Sequence, residues 1–365
     1  MLASALSRKD AVYLWEMTKR KIKAVDFFCS GGGMTCGLVQ GGINVIAGID
    51  NDPACRDTYV KNNPNSEFIL EDVFDLKERS FAKRLSLKRK DDDLVLIGCS
   101  PCQFWSIIRT DKTKSKKSKN LLMEFKRFVD YLLPGYVLVE NVPGILNKKE
   151  KSGLDRFVSD LEANGYKVHY EIVNMSDYGV PQSRRRFSLL ATRLHKEPIF
   201  PVKDLGQRPT VRDAIGHGFK KIPTGHRDNT SFHHSTANLT ERNIERLKKT
   251  RKDGGSWLDW ANDKELKRKR YQGREFVDNY GRLSWDKPSP TITTKFISIS
   301  NGRFAHPEEN RGLSIREGAT LQSFPKDYVF PGDSLGVSAK IIGNAVPPRF
   351  ARRLAETIVE AHSDR

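Results

Sequence analysis

Short apolar runs separated by helix-length stretches dominate the first half of the chain. IKAVDFF (22–28) ends at a glycine cluster and NVIAGID (44–50) ends in an acid; DLVLIG (93–98), YVLVENV (136–142) and FSLLATR (187–193) follow. Between them, 120–133 and 153–164 carry the spacing of amphipathic helices. Strand-length runs alternating with helices predict a parallel sheet with crossover helices. Ligands of such sheets bind beyond the carboxyl ends of the strands. Asp26, Asp50, Cys99, Cys102, Glu140 and Asn141 fall at those ends. From 194 to 310 the pattern changes: Pro, Gly, Arg, Lys, His and Thr are frequent and strong apolar runs are few, as in a second, smaller domain or a long insertion. Order returns with LSIREGATLQSFP and with SAKIIGNAVPPRFARRLAETIVEAH, an amphipathic helix that Pro347 and Pro348 introduce. The first 21 residues also read as a helix, with charges that break any signal-peptide core.

Bulk properties narrow the partners. The 365 residues carry 63 Lys plus Arg against 45 Asp plus Glu, a formal net charge of +18. Such an excess favours a polyanion, because neutralising phosphates releases condensed counterions. No apolar run approaches the roughly 20 residues of a membrane span. Five cysteines, an odd number in a long chain, argue against a disulfide framework and for a reducing cytoplasm.

The segment DFFCSGGGMTCGL sets three glycines between a strand and a helix. Glycine permits a tight turn and close approach of backbone to a ligand, and the following helix start favours negative charge. The dinucleotide fingerprint is absent, since the fifth residue after Gly31 is Cys36, and no P-loop occurs. Asp50 is placed to accept hydrogen bonds from ribose hydroxyls. Glu71 and Asp72 follow a further apolar stretch, EFIL. Together these positions point to an adenosine-containing cofactor. The turn CSPCQFWS allows three readings: a CxxC redox pair, half of a zinc site that lacks a second CxxC, or a single nucleophile at Cys102. A thiolate attacks an electron-poor ring carbon, and cytosine C6 is one when an acid such as Glu140 engages N3.

Read together, DFFCSGGG, Asp50, Asp72, SPCQ, ENV, QSRRRF, LSIREGATLQSFP and GNAVPP resemble the cytosine-C5 DNA methyltransferases in order and spacing, over about residues 22–360. The resemblance implies an α/β fold: a Rossmann-like domain dependent on S-adenosylmethionine (SAM), with a smaller target-recognition domain. The expected division is 1–204 for the first part of the catalytic domain, 205–305 for target recognition and 306–365 for the returning catalytic part. It implies Cys102 as nucleophile, Glu140 at N3 and Arg186 holding base and cysteine, with Gln182 and Arg184 as structural neighbours. It further implies Phe28 on the adenine, Gly31 and Gly33 in the cofactor loop, Asp50 on the ribose, Asp72 on the adenine amine, and Asn344 near cofactor and base. The cofactor implied is SAM, leaving as S-adenosylhomocysteine, with no metal. The partner implied is double-stranded DNA, bound by a monomer in the cytoplasm without membrane contact, with a restriction endonuclease as a separately acting companion. The chain departs from the family at Ser30, where glycine is usual, and at Phe104 and Trp105 after the PCQ triplet. Relatives that methylate tRNA share these motifs. Five lysines follow the cysteine turn: Lys112, Lys114, Lys116, Lys117 and Lys119. They suit phosphates beside a flipped base. Arg227, His226, Arg251, Lys252 and the run 267–270 are further DNA candidates. Trp257, Trp260 and Trp285 read as packed framework, and His233 and His234 as solvated loop residues or phosphate contacts.

Overall fold

The structure is a computed structural model that describes residues 22–100, 120–148, 152–204, 206–266, 276–332 and 334–365. The expected N-terminal helix, Cys102, the lysine run after it and the basic run 267–270 lie outside the described residues. Two compact units emerge.

The first unit takes its described residues from Met1–Val173, Arg185–Val202 and Phe350–Arg365. Its strands are β1 (Lys23–Phe27), β2 (Asn44–Asp50), β3 (Glu67–Leu70), β4 (Leu94–Gly98), β5 (Tyr136–Asn141) and β6 (Lys167–Asn174). The strand β7 (Gln182–Ser183) lies outside this sheet, and β8 (Arg185–Thr192) rejoins it. The seven-stranded sheet runs β3-β2-β1-β4-β5-β8-β6. The first five of these strands are parallel, as the alternation predicts. β8 departs from that expectation, because it runs antiparallel to β5 and pairs Glu140 with Ser188 and Asn141 with Phe187. The helices are α1 (Gly33–Gln40), α2 (Arg56–Asn62), α3 (Glu78–Arg84), α4 (Leu121–Leu132) and α5 (Leu154–Ala163).

Central strands carry continuous apolar runs because both faces are covered. β4, LVLIG, is buried at every position. α4 lays Leu122, Phe125, Phe128, Val129 and Leu132 on one buried face, the spacing of an amphipathic helix. Phe27 meets Phe81, Phe125 and Phe128 with ring centroids 4.9–5.5 Å apart. Gly98 is required there: a Cβ would lie 2.6 Å from the Phe125 ring.

The second unit comprises Asn174–Arg184 and Lys203–Arg349. It holds α6 (Val211–Ile215), α7 (Glu241–Lys249), β9 (Ser289–Pro290) paired with β7, α8 (Ile315–Leu321) and α9 (Leu335–Asn344). The final helix, α10 (Pro348–Ser363), begins in this unit and returns to the first from Phe350. The compact units divide the chain near 203 and again at 350. The reason is local packing. Gly318 of α8 sits against the Phe296 ring, where a Cβ would be 2.2 Å away, and Arg316 bonds the carbonyls of Ser231 and Phe232.

With so little regular structure, this unit leaves many carbonyls without ladder partners, and buried arginines supply the donors. Arg282 reaches the carbonyls of Thr250, Leu247, His306 and Glu309 and the Asn310 side chain. A guanidinium carries five N–H donors in a rigid fork, which suits it to this work. Trp257, Trp260 and Trp285 are buried as expected, each with its indole N–H bonded. His233 and His234 are buried rather than solvated. The His234 ring lies between Ser314 Oγ, 2.8 Å from Nδ1, and the Lys220 carbonyl, 3.0 Å from Nε2.

Candidate active site

The carboxyl ends of β1, β2 and β3 frame a cleft lined by Phe27, Phe28, Ile49, Asp50, Asn51, Glu71, Asp72, Val73 and Leu121. Phe28, Asp50 and Asp72, expected from the sequence as cofactor contacts, therefore share one cavity. The backbone turns sharply after β1: Phe28 and Ser30 have φ of 64° and 48°, and Gly32 has 85°. Left-handed φ is costly for residues with a Cβ, so the turn needs anchoring. The Cys29 N–H donates to the Ile49 carbonyl at 3.0 Å. Asp50 accepts from the Ser30 N–H through Oδ2 and from the Asp52 N–H through Oδ1, both at 2.9 Å. Ser30, a departure from the family's usual glycine, is thus held in glycine-like geometry by the same acid expected to meet the ribose. Asp72 accepts from Asn51 Nδ2 at 3.3 Å and from the Phe74 N–H at 3.2 Å. A carboxylate offers about four lone-pair sites, and both acids line the cleft. An aromatic face, apolar walls and two carboxylates fit a nucleoside. Gly31 and Gly33 lie in the turn and at the start of α1, and neither lines the cleft. The walls Ile49, Val73 and Leu121 carried no motif in the sequence; their only signal was an apolar residue beside an expected ligand or opening a helix.

Glu140 and Arg186 meet at the end of β5. Antiparallel pairing brings the first residues of β8 opposite the last of β5, and Arg186 Nε lies 3.2 Å from Glu140 Oε1. Both side chains are largely buried, at 9% and 16% exposure for Glu140 and Arg186, respectively. Arg186 Nη1 also donates to the Arg185 carbonyl at 2.8 Å. Asn141 Nδ2 donates to Ser100 Oγ at 3.1 Å, tying β5 to the turn that precedes Cys102. Cys102 itself lies outside the described residues. Among the described cysteines, Cys29, Cys36 and Cys55 are buried thiols and Cys99 is half-buried.

The other members of the arginine motif face a different task. Gln182 bonds Gln322 and the Leu321 carbonyl through Nε2 and accepts from the Ile292 N–H. Arg184 bonds the carbonyls of Ile292, Gly343 and Ala345. It therefore brackets Asn344, which ends α9 in the second unit with its side chain exposed. Gly343 beside it is obligatory, because a Cβ would lie 2.3 Å from backbone atoms of Thr293 and Thr294. Asn344 belongs to the second unit and the cleft residues to the first.

The motifs and the cleft converge on one family, and its model, described as C-5 cytosine-specific DNA methylase, matches residues 22–360. The chain belongs to that family. As a cytosine-C5 DNA methyltransferase it is 35% identical to the Type II methylase M.HgiDII of Herpetosiphon aurantiacus, over 92% of this chain and 94% of that one. It is 30% identical to the Type II methyltransferase M1.HphI of Haemophilus parahaemolyticus, over 93% and 87% of the two chains. A prophage-encoded DNA modification methyltransferase of E. coli shares the fold, with a TM-score of 0.71 at 22% identity over 94% of this chain and 99% of that one. The S. pombe Dnmt2 methyltransferase shares it with a TM-score of 0.63 at 16% identity, over 94% and 99% of the chains. Among the described residues no group of acids, histidines and cysteines is arranged to hold a metal ion, and no helix is long and apolar enough to cross a membrane.

Proposed function

We propose that the enzyme methylates C5 of a flipped cytosine in a specific double-stranded DNA sequence, with SAM as donor and a covalent bond between Cys102 and C6 as intermediate. The observation that carries this reading is the Glu140–Arg186 pair at the end of β5, bonded through Asn141 to the turn before Cys102 and borne on the same sheet as the cleft of Phe28, Asp50 and Asp72. The target base leaves the duplex stack, because C6 is unreachable within it. The Cys102 thiolate forms the bond to C6, pushing the C5–C6 electrons toward C5, while Glu140 engages N3 and stabilises its proton. Arg186, 3.2 Å from Glu140 Oε1, keeps the carboxyl oriented where it meets the base. When bound in the cleft of Phe28, Asp50 and Asp72, SAM supplies an electrophilic methyl to C5 and leaves as S-adenosylhomocysteine. Loss of the C5 proton to a base then restores the C5–C6 double bond and expels the Cys102 thiolate. No metal enters the scheme.

Residues 205–305, within the second unit, are the target-recognition part in this reading. Arg227, Arg251 and Lys252 are exposed on it and suit phosphate contacts; the five lysines after Cys102 suit the strand beside the flipped base. The named Type II relatives support a place in a restriction-modification system, with the endonuclease a separate protein and this chain a cytoplasmic monomer. Duplex DNA carrying 5-fluorocytosine tests the chemistry, since fluorine at C5 blocks the final elimination. A DNA–protein adduct stable to denaturant is expected with SAM and is expected to vanish in Cys102→Ser; an adduct that survives that substitution would overturn the assignment.

A further inference from the structure

Asp26 is a buried carboxyl group with no part in the steps above. It lies on β1, in the middle of the sheet, opposite Gly48 of β2 and Ile97 of β4. Its side chain is fully buried. Oδ2 accepts a hydrogen bond from Thr35 Oγ1 of α1 at 2.8 Å, while Oδ1 is buried without a hydrogen-bond partner among the described residues. Thr35 has one hydroxyl proton, and Asp26 receives it. The Tyr59 hydroxyl, 3.2 Å from Thr35 Oγ1, therefore donates to Thr35, and Ser66 Oγ, 2.7 Å from the Tyr59 oxygen, donates to Tyr59. A chain of three hydroxyls thus runs from half-buried Ser66 to the carboxylate with every proton pointing inward. Reversing the chain accommodates the neutral acid: each hydroxyl then points outward.

Neutral hydrogen bonds from a single residue, the Thr35 hydroxyl and backbone N–H, are little support for a buried anion. The described groups that face Asp26 offer no charge to balance it. Thr35 of α1 is neutral, Asp50 at the end of β2 is itself acidic, and Cys29 of the cofactor turn and Tyr59 of α2 are acids whose own ionisation is suppressed by burial. Cys55 stands beside Cys29, and β4 contributes only apolar side chains and a glycine. Burial, opposed by the Thr35 hydrogen bond and reinforced by Asp50, raises the Asp26 carboxyl to about 7. Among the described residues the site has no cation beside this carboxyl. Phe27 and Phe28, the next two residues, line the cleft, and so does Asp50.

We propose that Asp26 is the buried counter-charge of the cofactor cleft, ionising when a sulfonium ligand enters and thereby favouring the cationic methyl donor over its neutral thioether product. The inference rests on the reading of the cleft as a SAM site. On binding, the Asp26 proton passes outward as the hydroxyl chain reverses, and one proton reaches water at Ser66. On conversion of sulfonium to thioether the attraction disappears, the proton returns, and the product is held less tightly. Asp26 touches no ligand atom in this scheme; it sets selectivity between two ligands that differ by one methyl group and one charge.

Titration calorimetry of the full chain with SAM and with S-adenosylhomocysteine, in buffers of different ionisation heat, reads the proton directly. With a free-state value of about 7, SAM should release about half a proton near pH 7 and bind roughly eightfold more weakly at about pH 6 than at about pH 7.5. The thioether should release almost none, and its affinity should change less than about twofold. Asp26→Asn should remove both the proton release and the pH slope for SAM. Should that variant fail to fold, Thr35→Val provides the second test: losing the hydroxyl bond, the larger of the two Thr35 bonds that favour the carboxylate, should move the slope to higher pH. Equal proton release by the two ligands, or a slope unmoved in both variants, would overturn the role of Asp26. SAM binding without proton release defeats this inference alone, whereas no SAM binding at any pH defeats the cofactor reading and this one with it.

Discussion

Replacing Arg311 by methionine should destabilise the second unit more than any surface change. Arg311 and Glu317 are an almost solvent-free pair, 1% and 0% exposed, joined by two bonds of 2.8 Å. Glu317 also closes the capping box of α8, accepting from the Ser314 N–H at 2.8 Å. Glu309 takes the other side of the guanidinium at 3.0 Å, and His306 approaches Glu317 at 3.8 Å. Without Arg311 two carboxylates face each other in a dry site. Breaking one side of such a pair costs about 3–5 kcal/mol. The expected titration of Glu317 points the same way. Burial alone would raise its carboxyl, but the bonds and charge of Arg311, aided by His306 and Ser314, outweigh burial and lower it from 4.5 to about 2. That depression corresponds to about 3 kcal/mol of stability. Because the folded value lies below the unfolded one, this contribution is complete above about pH 5 and fades as the pH falls toward 2, with about 2 kcal/mol gone by pH 3. Urea unfolding followed by tryptophan emission is the assay, since Trp257, Trp260 and Trp285 are all buried in this unit. The native chain should lose about 2 kcal/mol more than Glu317→Gln between about pH 6 and pH 3. The double variant Arg311→Met/Glu317→Gln should be more stable than Arg311→Met alone. A loss below about 1 kcal/mol in Arg311→Met, or identical acid profiles for the native chain and Glu317→Gln, would refute the reasoning.

Three further outcomes are expected. Glu140→Gln should lower the single-turnover methylation rate by roughly 10²–10⁴ while near-UV circular dichroism stays native; a loss under tenfold would remove Glu140 from the chemistry. Asp50→Ala takes the acceptor from the Ser30 and Asp52 N–H groups as well as from the ribose, so the SAM Kd should rise tenfold or more by calorimetry, and an unchanged Kd would show that the cleft binds something else. Gly343→Ala drives a Cβ into the Thr293–Thr294 backbone and should cost about 1–3 kcal/mol in urea unfolding; a neutral result would mean that the GNAVPP turn is not held as described.

The sheet was legible because its signal is local. Apolar runs at 22–28, 44–50, 93–98 and 136–142 are buried on both faces, and continuous hydrophobicity follows from that. β6 was not anticipated, although Val168, Tyr170 and Ile172 alternate with polar residues as in a strand exposed on one side; three half-buried residues at an edge leave a weaker trace than a central run. The reversed direction of β8 was also illegible, since strand direction depends on how the chain returns rather than on composition. Yet that reversal is what brings Arg186 to Glu140. The second unit was least readable. Its framework includes arginines bonding carbonyls far away in sequence, and Arg282 and Arg316 look from composition like surface charge. The same hidden pairing explains His234, whose partners Ser314 and Lys220 are distant in the chain. For the site, the motif residues Phe28, Asp50 and Asp72 line one cleft, whereas Ile49, Val73 and Leu121 acquire meaning only as its walls.

The central claim is methylation of cytosine at C5 in DNA. Incubating the purified chain with SAM labelled on the methyl group and with duplex DNA or tRNA, then digesting each to nucleosides and separating them, tests it most directly. The label should appear in 5-methyldeoxycytidine from the DNA and disappear with Cys102→Ser. Label in N4-methyldeoxycytidine or N6-methyldeoxyadenosine, or in the tRNA alone, would contradict the account.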